Sequence, residues 1–318
     1  MLDGKNFDKV LFLIISTILF YVAILIISDI NLIFEKIFQI KLEYFLLVFS
    51  LMTMQFIFLG IKYHRLLKKL NIPISLKYSI LIFISGLTLI ATPGGIGTVI
   101  KSQILKKKYN QPLAKTLPLI IIERFTELLA ILIILTFFLI WNQMYESIIV
   151  IIIGYCFIIA TYIISSNTKI FIFFKKLFSK IKKIKKLIIS FDESRDSFSK
   201  LFEFKTISES MVWSIFAKIS QLLAVYFIFL SLGIDLDLIL SGQIYYTSLV
   251  LGSLTFIPSG LIITESSMLG LLLNTGVDLS LASLSVILIR LITTWLGTVV
   301  GIIALKFLGI RNKKNFND

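Results

Sequence analysis

Residues 91–97 read Ala-Thr-Pro-Gly-Gly-Ile-Gly and interrupt an apolar stretch that extends over about residues 78–105. A second apolar stretch, about residues 241–274, is interrupted by Pro258-Ser259-Gly260. Each half has only about 12–16 residues, roughly 18–24 Å as a helix, whereas the hydrocarbon core of a bilayer is about 30 Å thick. The two stretches therefore predict re-entrant helical hairpins, whose broken tips must be surrounded by protein or a water-filled cavity.

Uninterrupted apolar runs predict full membrane spans, since a spanning helix needs about 20 residues. There are six such runs, at about residues 10–30, 42–61, 117–140, 147–166, 211–233 and 282–305. Hydrophobic residues make up 57% of the chain and charged residues 16%, against about 45–50% and 25% in a soluble domain. We predict an all-α polytopic membrane protein, with residues 1–318 forming one integral membrane domain of about six full spans and the two hairpins.

Charge orients this topology. The net charge of +14 lies mainly in segments between apolar runs, and no soluble module offers the basic face of a nucleic-acid reader, so no nucleic-acid partner is expected. Loops 62–77, 101–115 and 169–205 and the tail 306–314 are basic, whereas loops 141–146 and 233–240 carry acids and no base. By the positive-inside rule the basic segments and both termini are cytoplasmic, in a multi-pass protein of the cell membrane. The first hairpin then enters from the cytoplasm and the second from outside.

Residues 168–205 are the main cytoplasmic feature of this topology. Apolar residues recur there at alternating steps of four and three, with lysines between them. This pattern predicts a basic amphipathic helix that lies on an anionic leaflet. A plain connector and a lipid sensor both fit the pattern.

Residue usage argues against several kinds of active site. The single cysteine, Cys156, allows no intramolecular disulfide, and the single histidine, His64, is assigned to a loop. A His-rich metal site and a triad built on buried histidines are therefore not expected. Gly94-Gly95-Ile96-Gly97 follows no strand and lacks the Gly-Lys-Ser/Thr end of a P-loop. We predict no catalytic residue, no metal and no cofactor, and hence a protein that is not an enzyme.

The two broken segments resemble each other. Arg124 follows Pro93 by 31 residues and Arg290 follows Pro258 by 32, each within the next span. Because one hairpin is predicted to enter from each side, residues 78–140 and 241–305 are predicted to form an inverted repeat of the kind found in transporters. Half-helix ends near mid-membrane favour an anionic group, and glycine there lets a ligand approach the backbone.

Charged residues inside predicted spans are costly and usually face a bundle interior or a wet cavity. They are Glu123, Arg124, Glu127, Lys218, Glu265 and Arg290. Glu123 and Glu127 share a helix face because they are four residues apart. The two arginines either take part in the substrate path or only pair with the acids to hold the hairpins. Lys218 is interpreted as a lysine that snorkels towards the membrane surface.

These residues resemble two signatures of the lysylphosphatidylglycerol synthase transmembrane-region family, over about residues 10–308. The first is carried by Ala91, Thr92, Pro93, Gly94, Gly95, Ile96, Gly97, Lys101, Leu105, Glu123, Arg124 and Phe125. The second is carried by Ile257, Pro258, Ser259, Gly260, Glu265, Gly276, Val277, Ala282, Arg290, Trp295 and Gly297. The chain departs from the family pattern at Thr98, where an acid is common, at Lys101, where arginine is usual, and at Ser259 and Ile262, where glycines are common.

The resemblance implies a flippase-like protein, without the aminoacyl-transferase domain, that moves a lipid with a charged head group between leaflets. The expected partners are membrane lipids with anionic head groups, either phospholipids or polyprenyl-phosphate-linked lipids, and a homo-oligomer is compatible with the sequence. The predicted substrate-binding residues are Pro93, Gly94, Gly95, Gly97, Lys101, Glu123, Arg124, Glu127, Pro258, Gly260, Glu265 and Arg290. Two alternatives stay open: a membrane-embedded transferase or its accessory subunit, and a secondary transporter of small solutes or ions.

Overall fold

The long apolar runs form helices, because in lipid every backbone polar group must be bonded within the protein. The computed structural model describes residues 30–89, 96–142, 144–166, 194–255 and 260–309, and its regular elements in these ranges are all helical. In chain order they are α1 (Ile30–Gln39), α2 (Leu42–Lys69), α3 (Leu76–Ser85), α4 (Ile96–Tyr109), α5 (Leu113–Thr116), α6 (Pro118–Trp141), α7 (Glu146–Ser166), α8 (Arg195–Leu201), α9 (Phe204–Ser231), α10 (Leu238–Leu254), α11 (Ile263–Asn274), α12 (Leu279–Arg290) and α13 (Leu296–Phe307). A 3₁₀ turn, Gly86–Leu89, extends α3, and a π turn, Leu291–Trp295, joins α12 to α13.

Four of the described helical units are long and apolar enough to cross a membrane: α2, α7, α9 and the unit formed by α12, the π turn and α13. Helix α6, with 24 residues, would be about 36 Å long and carries three charged side chains in its first half. The all-α, polytopic membrane architecture predicted from the sequence is therefore confirmed. The first predicted span, residues 10–30, lies almost wholly outside the described residues, as do residues 168–193 of the predicted basic helix.

Apolar side chains cover the outward faces of the spans. On α7, Ile149, Ile152 and Ile159 are each more than half exposed. A soluble protein would place such residues in its core, so this surface is suited to lipid tails.

Helix α2 is longer than predicted. The sequence predicted a span at residues 42–61 followed by a basic loop, but the helix continues to Lys69. The assignment of Lys62 and His64 to a loop is therefore wrong, and both side chains are buried. The helix extends past residue 61 because apolar residues continue at helical spacing. Leu59, Tyr63 and Leu66 prolong the buried face of α2 beyond the predicted end of the run.

The segments interrupted by Pro and Gly do form pairs of short helices. Helix α3 with its 3₁₀ turn packs against α4, and α10 packs against α11. The 17 residues of α10 and the 12 of α11 correspond to about 26 Å and 18 Å, so neither helix alone crosses the membrane core. The tips themselves, residues 90–95 and 256–259, lie outside the described part of the chain.

Two contacts place basic segments that are far apart in sequence at one end of the bundle, hereafter the basic end. Lys69, the last residue of α2, donates a hydrogen bond from Nζ to Glu203 Oε2 just before α9 begins, at 2.6 Å. Lys108 near the end of α4 donates to the carbonyl oxygen of Leu308, which follows α13.

The first hairpin therefore returns to the end from which it started. Helix α3 begins six residues after α2 has ended at the basic end, and α4 ends there as well. In addition, Ser194 beside α8 donates to the carbonyl oxygen of Ala114 in α5, at 2.5 Å. This agrees with the re-entrant path predicted for residues 78–105.

The second hairpin starts from the opposite end. Helix α6 runs away from the basic end and finishes at Trp141. Gln243, in the second turn of α10, donates to the carbonyl oxygen of Asn142 at 2.8 Å. Helix α10 therefore begins where α6 finishes, so the two hairpins enter the bundle from opposite ends.

The connections that lead into the two hairpins have the same backbone structure. Helices α2 and α9 both have 28 residues, and two positions after the end of each lies a residue with positive φ, Asn71 (54°) or Gly233 (75°). The next amide then bonds back to the helix, Ile72 to the carbonyl of Leu67 and Ile234 to that of Phe229, both at 3.0 Å. This match supports the predicted inverted repeat and extends it beyond its predicted start to include α2 and α9.

Gly260 lies where the two helices of the second hairpin come closest. Its φ is +61°, and a Cβ atom there would stand 2.7 Å from Gly252 Cα and 2.5 Å from Thr264 Oγ1. The sequence interpretation, in which glycine exposes the backbone to a ligand, is wrong for this side of Gly260, because neighbouring helices fill the space.

Ile262 has a φ of +72°, a conformation that is unfavourable for a β-branched residue.

We expect Gly260→Ala to lower the stability of the detergent-purified protein more than Gly276→Ala does. Gly276 provides a matched control, since its φ is +84° but a Cβ there would meet nothing within 4 Å. Both changes impose the left-handed strain of about 1–2 kcal/mol, and only the first adds a steric clash. Melting temperatures from thermal unfolding measure the difference; equal shifts for the two variants would contradict the close helix crossing.

Single cysteines introduced at Lys106 and Asp235 on a Cys156→Ser background should be labelled from opposite sides of the membrane. Both positions are exposed, one near the end of α4 and the other between α9 and α10. A membrane-impermeant maleimide applied to intact cells should modify position 235 and leave position 106 unmodified until the cells are opened. Labelling of both positions in intact cells would contradict the hairpin topology.

Candidate functional site

Six charged side chains gather where α2, α4, α6 and α9 meet, and they are called the charge cluster below. Its members are Lys62, Lys101, Glu123, Arg124, Glu127 and Lys218. Four of the six are at least nine-tenths buried. Charged groups are removed from water in this way only when they are paired, and here each pairing joins different helices or successive turns of α6.

Lys101 of α4 forms the tightest ion pair of the cluster with Glu123 of α6. The distance from Nζ to Oε2 is 2.5 Å, and both side chains are about 95% buried. The ammonium group lies 5.0 Å from the ring centre of Tyr63, over its face. The aliphatic stem of Lys101 passes so close to Gly86 that a Cβ at that glycine would stand 2.7 Å from Lys101 Cγ. The pair therefore fixes the second helix of the first hairpin to the span that follows it.

Lys62 of α2 connects three long helices. Its side chain is fully buried, and its Nζ lies 3.1 Å from Glu127 Oε1. The same group donates to Ser214 Oγ in α9 at 3.2 Å and to Thr126 Oγ1 in α6 at 3.4 Å. The ammonium is thus surrounded by oxygen acceptors, as a buried cation requires.

Lys218 of α9 is buried rather than extended towards the membrane surface. Its side chain is 7% exposed, so the interpretation as a snorkelling lysine is wrong. Its Nζ donates to Gln221 Oε1 at 3.1 Å and lies 4.0 Å from Glu127 Oε2. The backbone carbonyl of Lys218 accepts from the hydroxyl of Tyr246 at 2.5 Å, which ties α9 to the second hairpin.

Arg124 is the exposed member of the charge cluster. Its side chain is 54% exposed, and its Nη1 lies 3.6 Å from Glu127 Oε2. At 100° per residue, the buried residues Ile131 and Leu135 lie within about 20° of Arg124 around the axis of α6, whereas the exposed Ile133 lies opposite. Arg124 therefore lies on the same side of α6 as Ile131 and Leu135, and through its exposed side chain the charge cluster is open to the outside of the bundle.

A second buried ion pair fixes the other hairpin. Arg290 at the end of α12 donates from Nε to Glu265 Oε1 in the first turn of α11, at 2.8 Å. The side chains are 3% and 0% exposed. The neighbouring Tyr245 of α10 is fully buried and lies within electrostatic range of Arg290. The predicted pairing of Arg290 with an acid is thus present in the structure.

The two buried pairs occupy corresponding places with opposite signs. In the first hairpin the lysine is on the returning helix and the acid, Glu123, is on the following span. In the second, Glu265 is on the returning helix and Arg290 is on the span. The position that corresponds to Arg290 is therefore that of Glu123, and the predicted equivalence of Arg124 and Arg290 is wrong by one residue. Because adjacent helical residues point about 100° apart, that shift moves Arg124 out of the pair.

The structure brings together Lys101, Glu123, Arg124 and Glu127, four of the predicted site residues, and pairs Glu265 with Arg290 separately. Gly97 lies in the first turn of α4. Pro93, Gly94, Gly95 and Pro258 lie outside the described residues. Sequence reasoning missed Lys62 because it followed an apolar run of sufficient length; its position three residues after Leu59 and four before Leu66, on the buried face of the helix, was the available signal.

A helical membrane protein with two broken hairpins, each fixed by a buried ion pair, is the class that this fold and site define. The family model described as the lysylphosphatidylglycerol synthase TM region matches residues 10–301. The chain therefore belongs to this family.

Relatives of the chain occur in archaea. It is 26% identical over 288 residues to a UPF0104 membrane protein of Pyrococcus horikoshii, an alignment that covers 82% of this chain and 85% of the relative. It is 27% identical over 203 residues to a UPF0104 membrane protein of Methanocaldococcus jannaschii, covering 63% of this chain and 85% of the relative. These similarities agree with a membrane protein of this family over most of its length.

Glu265→Gln should destabilise the protein far more than Glu209→Gln does. The first change leaves the buried guanidinium of Arg290 without its carboxylate, which costs about 3–5 kcal/mol. Glu209 pairs with Arg65 at 3.5 Å on the surface, both about half exposed, and such pairs contribute about 0–1 kcal/mol. Thermal unfolding in detergent distinguishes the two cases. Similar melting temperatures for both variants would show that the Glu265–Arg290 pair does not hold the hairpin.

Proposed function

We propose that this protein moves lipids with an anionic head group between the two leaflets of the membrane. The observation that carries the proposal is the composition of the charge cluster. It contains four cationic groups, those of Lys62, Lys101, Arg124 and Lys218, but only two carboxylates. An excess of positive charge inside a membrane bundle is costly unless an anion neutralises it.

Access to the cluster supports the same function. Arg124 is about half exposed, and it shares Glu127 with the buried Lys62 and Lys218. Guanidinium groups bind phosphate oxygens through two parallel hydrogen bonds and stay charged in poorly hydrated sites. A head group could thus reach the cluster at Arg124 while its tails stay in contact with the apolar outer faces of the spans.

Family membership supports a lipid-related role as well, since the family is described by the transmembrane region of a synthase whose product is a lipid. The transferase alternative would need a pair of acids to hold a metal ion, and the sequence offers Asp192 with Asp196 and Asp235 with Asp237. One member of each pair has a structural contact. Asp237 accepts from the backbone amide of Leu240 at the start of α10, and Asp196 pairs with Lys200. These contacts are those of a helix cap and a surface ion pair.

Proteoliposomes test the proposal. The purified protein should speed the transbilayer movement of a fluorescent phosphatidylglycerol, measured by dithionite quenching, well above that of the matching phosphatidylcholine. Arg124→Gln should slow it about tenfold or more, because a charge-assisted hydrogen bond contributes about 1.5–3 kcal/mol. Arg65→Gln, which removes a charge from an exposed pair outside the cluster, serves as the control and should keep the wild-type rate.

Two results would contradict the proposal. One is equal movement of both lipids at the rate of protein-free vesicles. The other is a wild-type rate in monodisperse Arg124→Gln protein, which would remove the cluster from the substrate path. Uptake of radiolabelled inorganic phosphate without lipid movement would instead point to a solute transporter.

A further inference from the structure

The positive charge of the cluster is not evenly distributed. Lys101 and Glu123 neutralise each other at 2.5 Å, and Lys62 lies 3.1 Å from Oε1 of Glu127. These contacts use both carboxylates of the cluster. Two cations remain, Arg124 and Lys218. They share the other oxygen of Glu127, Oε2, although this acid is already paired with Lys62.

Arg124 and Lys218 both lie within ion-pair range of that oxygen. Arg124 Nη1 is 3.6 Å and Lys218 Nζ is 4.0 Å from Glu127 Oε2. Both distances exceed those of charge-assisted hydrogen bonds, which are about 2.7–2.9 Å. The only hydrogen bond that Lys218 Nζ donates within the described residues goes to Gln221, so donors of its ammonium group stay available.

Other carboxylates of the described residues near the basic end are engaged elsewhere. Glu203 pairs with Lys69, and Glu209 pairs with Arg65. Within the described part of the chain, Glu127 is the one acid in ion-pair range of Lys218. The local excess at Arg124 and Lys218 is therefore two positive charges, one on a buried group and one on a half-exposed group.

We propose that Arg124 and Lys218 together bind a dianionic phosphoryl group, so that the protein prefers a lipid with a phosphate monoester or a diphosphate over a phosphodiester such as phosphatidylglycerol, which it holds less tightly. This inference rests on the proposed function and names its substrate class. A monoester carries about 1.5 to 2 negative charges at neutral pH and three terminal oxygens, whereas a diester carries one charge and two such oxygens. Only the former matches both cations in charge.

The geometry suits the same ligand. Arg124 is half exposed and carries a planar fork of donors, whereas Lys218 is buried and carries a compact point charge. Both groups lie within 4.0 Å of one carboxylate oxygen, and each needs to reach only about 3 Å to a phosphate oxygen, so we expect one phosphoryl group to contact both. Tyr246, bonded to the backbone of Lys218, holds this part of α9 against the second hairpin.

The preference for a doubly charged phosphoryl group can be tested with a pair of lipids that differ by one methyl group. Dihexanoyl phosphatidate is a monoester, and dihexanoyl phosphatidylmethanol is the corresponding diester with the same tails. Titration calorimetry at pH 7 on the wild-type protein in a zwitterionic detergent should show phosphatidate binding about tenfold tighter or more, because one charge-assisted contact is added. Dihexanoyl phosphatidylcholine is the reference for binding through the tails alone.

Variants of the protein test whether Lys218 supplies the second positive charge of the proposed site. In Lys218→Met the preference for phosphatidate should fall to about threefold or less, while phosphatidylmethanol still binds. Arg65→Met removes a cation outside the cluster and should keep the full preference. If Lys218→Met is not monodisperse, Arg124→Gln gives the same comparison, since the half-exposed Arg124 leaves Glu127 paired with Lys62.

The outcomes separate this inference from the proposed function. Equal affinity of the wild-type protein for the two anionic lipids, or an unchanged preference in both variants, overturns the dianion site and leaves an anionic-lipid translocase standing. Binding of neither anionic lipid above phosphatidylcholine overturns both proposals.

Discussion

A fully buried ammonium group, that of Lys62, sets the arrangement of the long helices. Without acceptors it would cost several kcal/mol to keep charged in an apolar bundle, so α6 and α9 must place Glu127, Thr126 and Ser214 around it. Helices α2 and α9 also share the most extensive packing in the described part of the chain. The ion contacts select one rotation of α6, and that rotation turns Glu123 towards α4 and leaves Arg124 half exposed.

The hairpins are held by two kinds of constraint that act together. Close backbone approach, as at Gly252 and Gly260 or where the stem of Lys101 crosses Gly86, lets short helices pack without side chains between them. A buried ion pair then fixes each returning helix to the span after it. One constraint acts within a hairpin and the other between a hairpin and the next span, so each hairpin is attached to the frame of long helices that carries most of the charge cluster.

The sequence was informative where a single residue type carries the signal. Pro and Gly inside apolar stretches predicted both hairpins, and the separation of basic from acidic loops predicted their opposite directions. Rotation about a helix axis was harder to predict, because it depends on partners from distant segments. The sequence predicted Lys62 to lie in a loop and Lys218 to extend to the membrane surface. In the structure both side chains are buried beside Glu127 of α6. Because the rotation of α6 could not be predicted, the comparison of the two repeats matched Arg290 with Arg124, whereas in the ion pairs Glu123 takes the corresponding place. Ile262 shows a third case: its φ of +72° is a conformation that glycine adopts readily and a β-branched residue does not, and nothing in the sequence around it revealed that conformation.

The reversed polarity of the two ion pairs has a consequence for the history of the chain. If the two halves arose from one duplicated segment, the halves have since become non-interchangeable. Moving the first hairpin onto the second frame would set Lys101 against Arg290, and the reciprocal exchange would set Glu265 against Glu123, each a pair of like charges out of contact with water. Recombination between the repeats is thereby disfavoured, and each half can diverge only together with its own partner span.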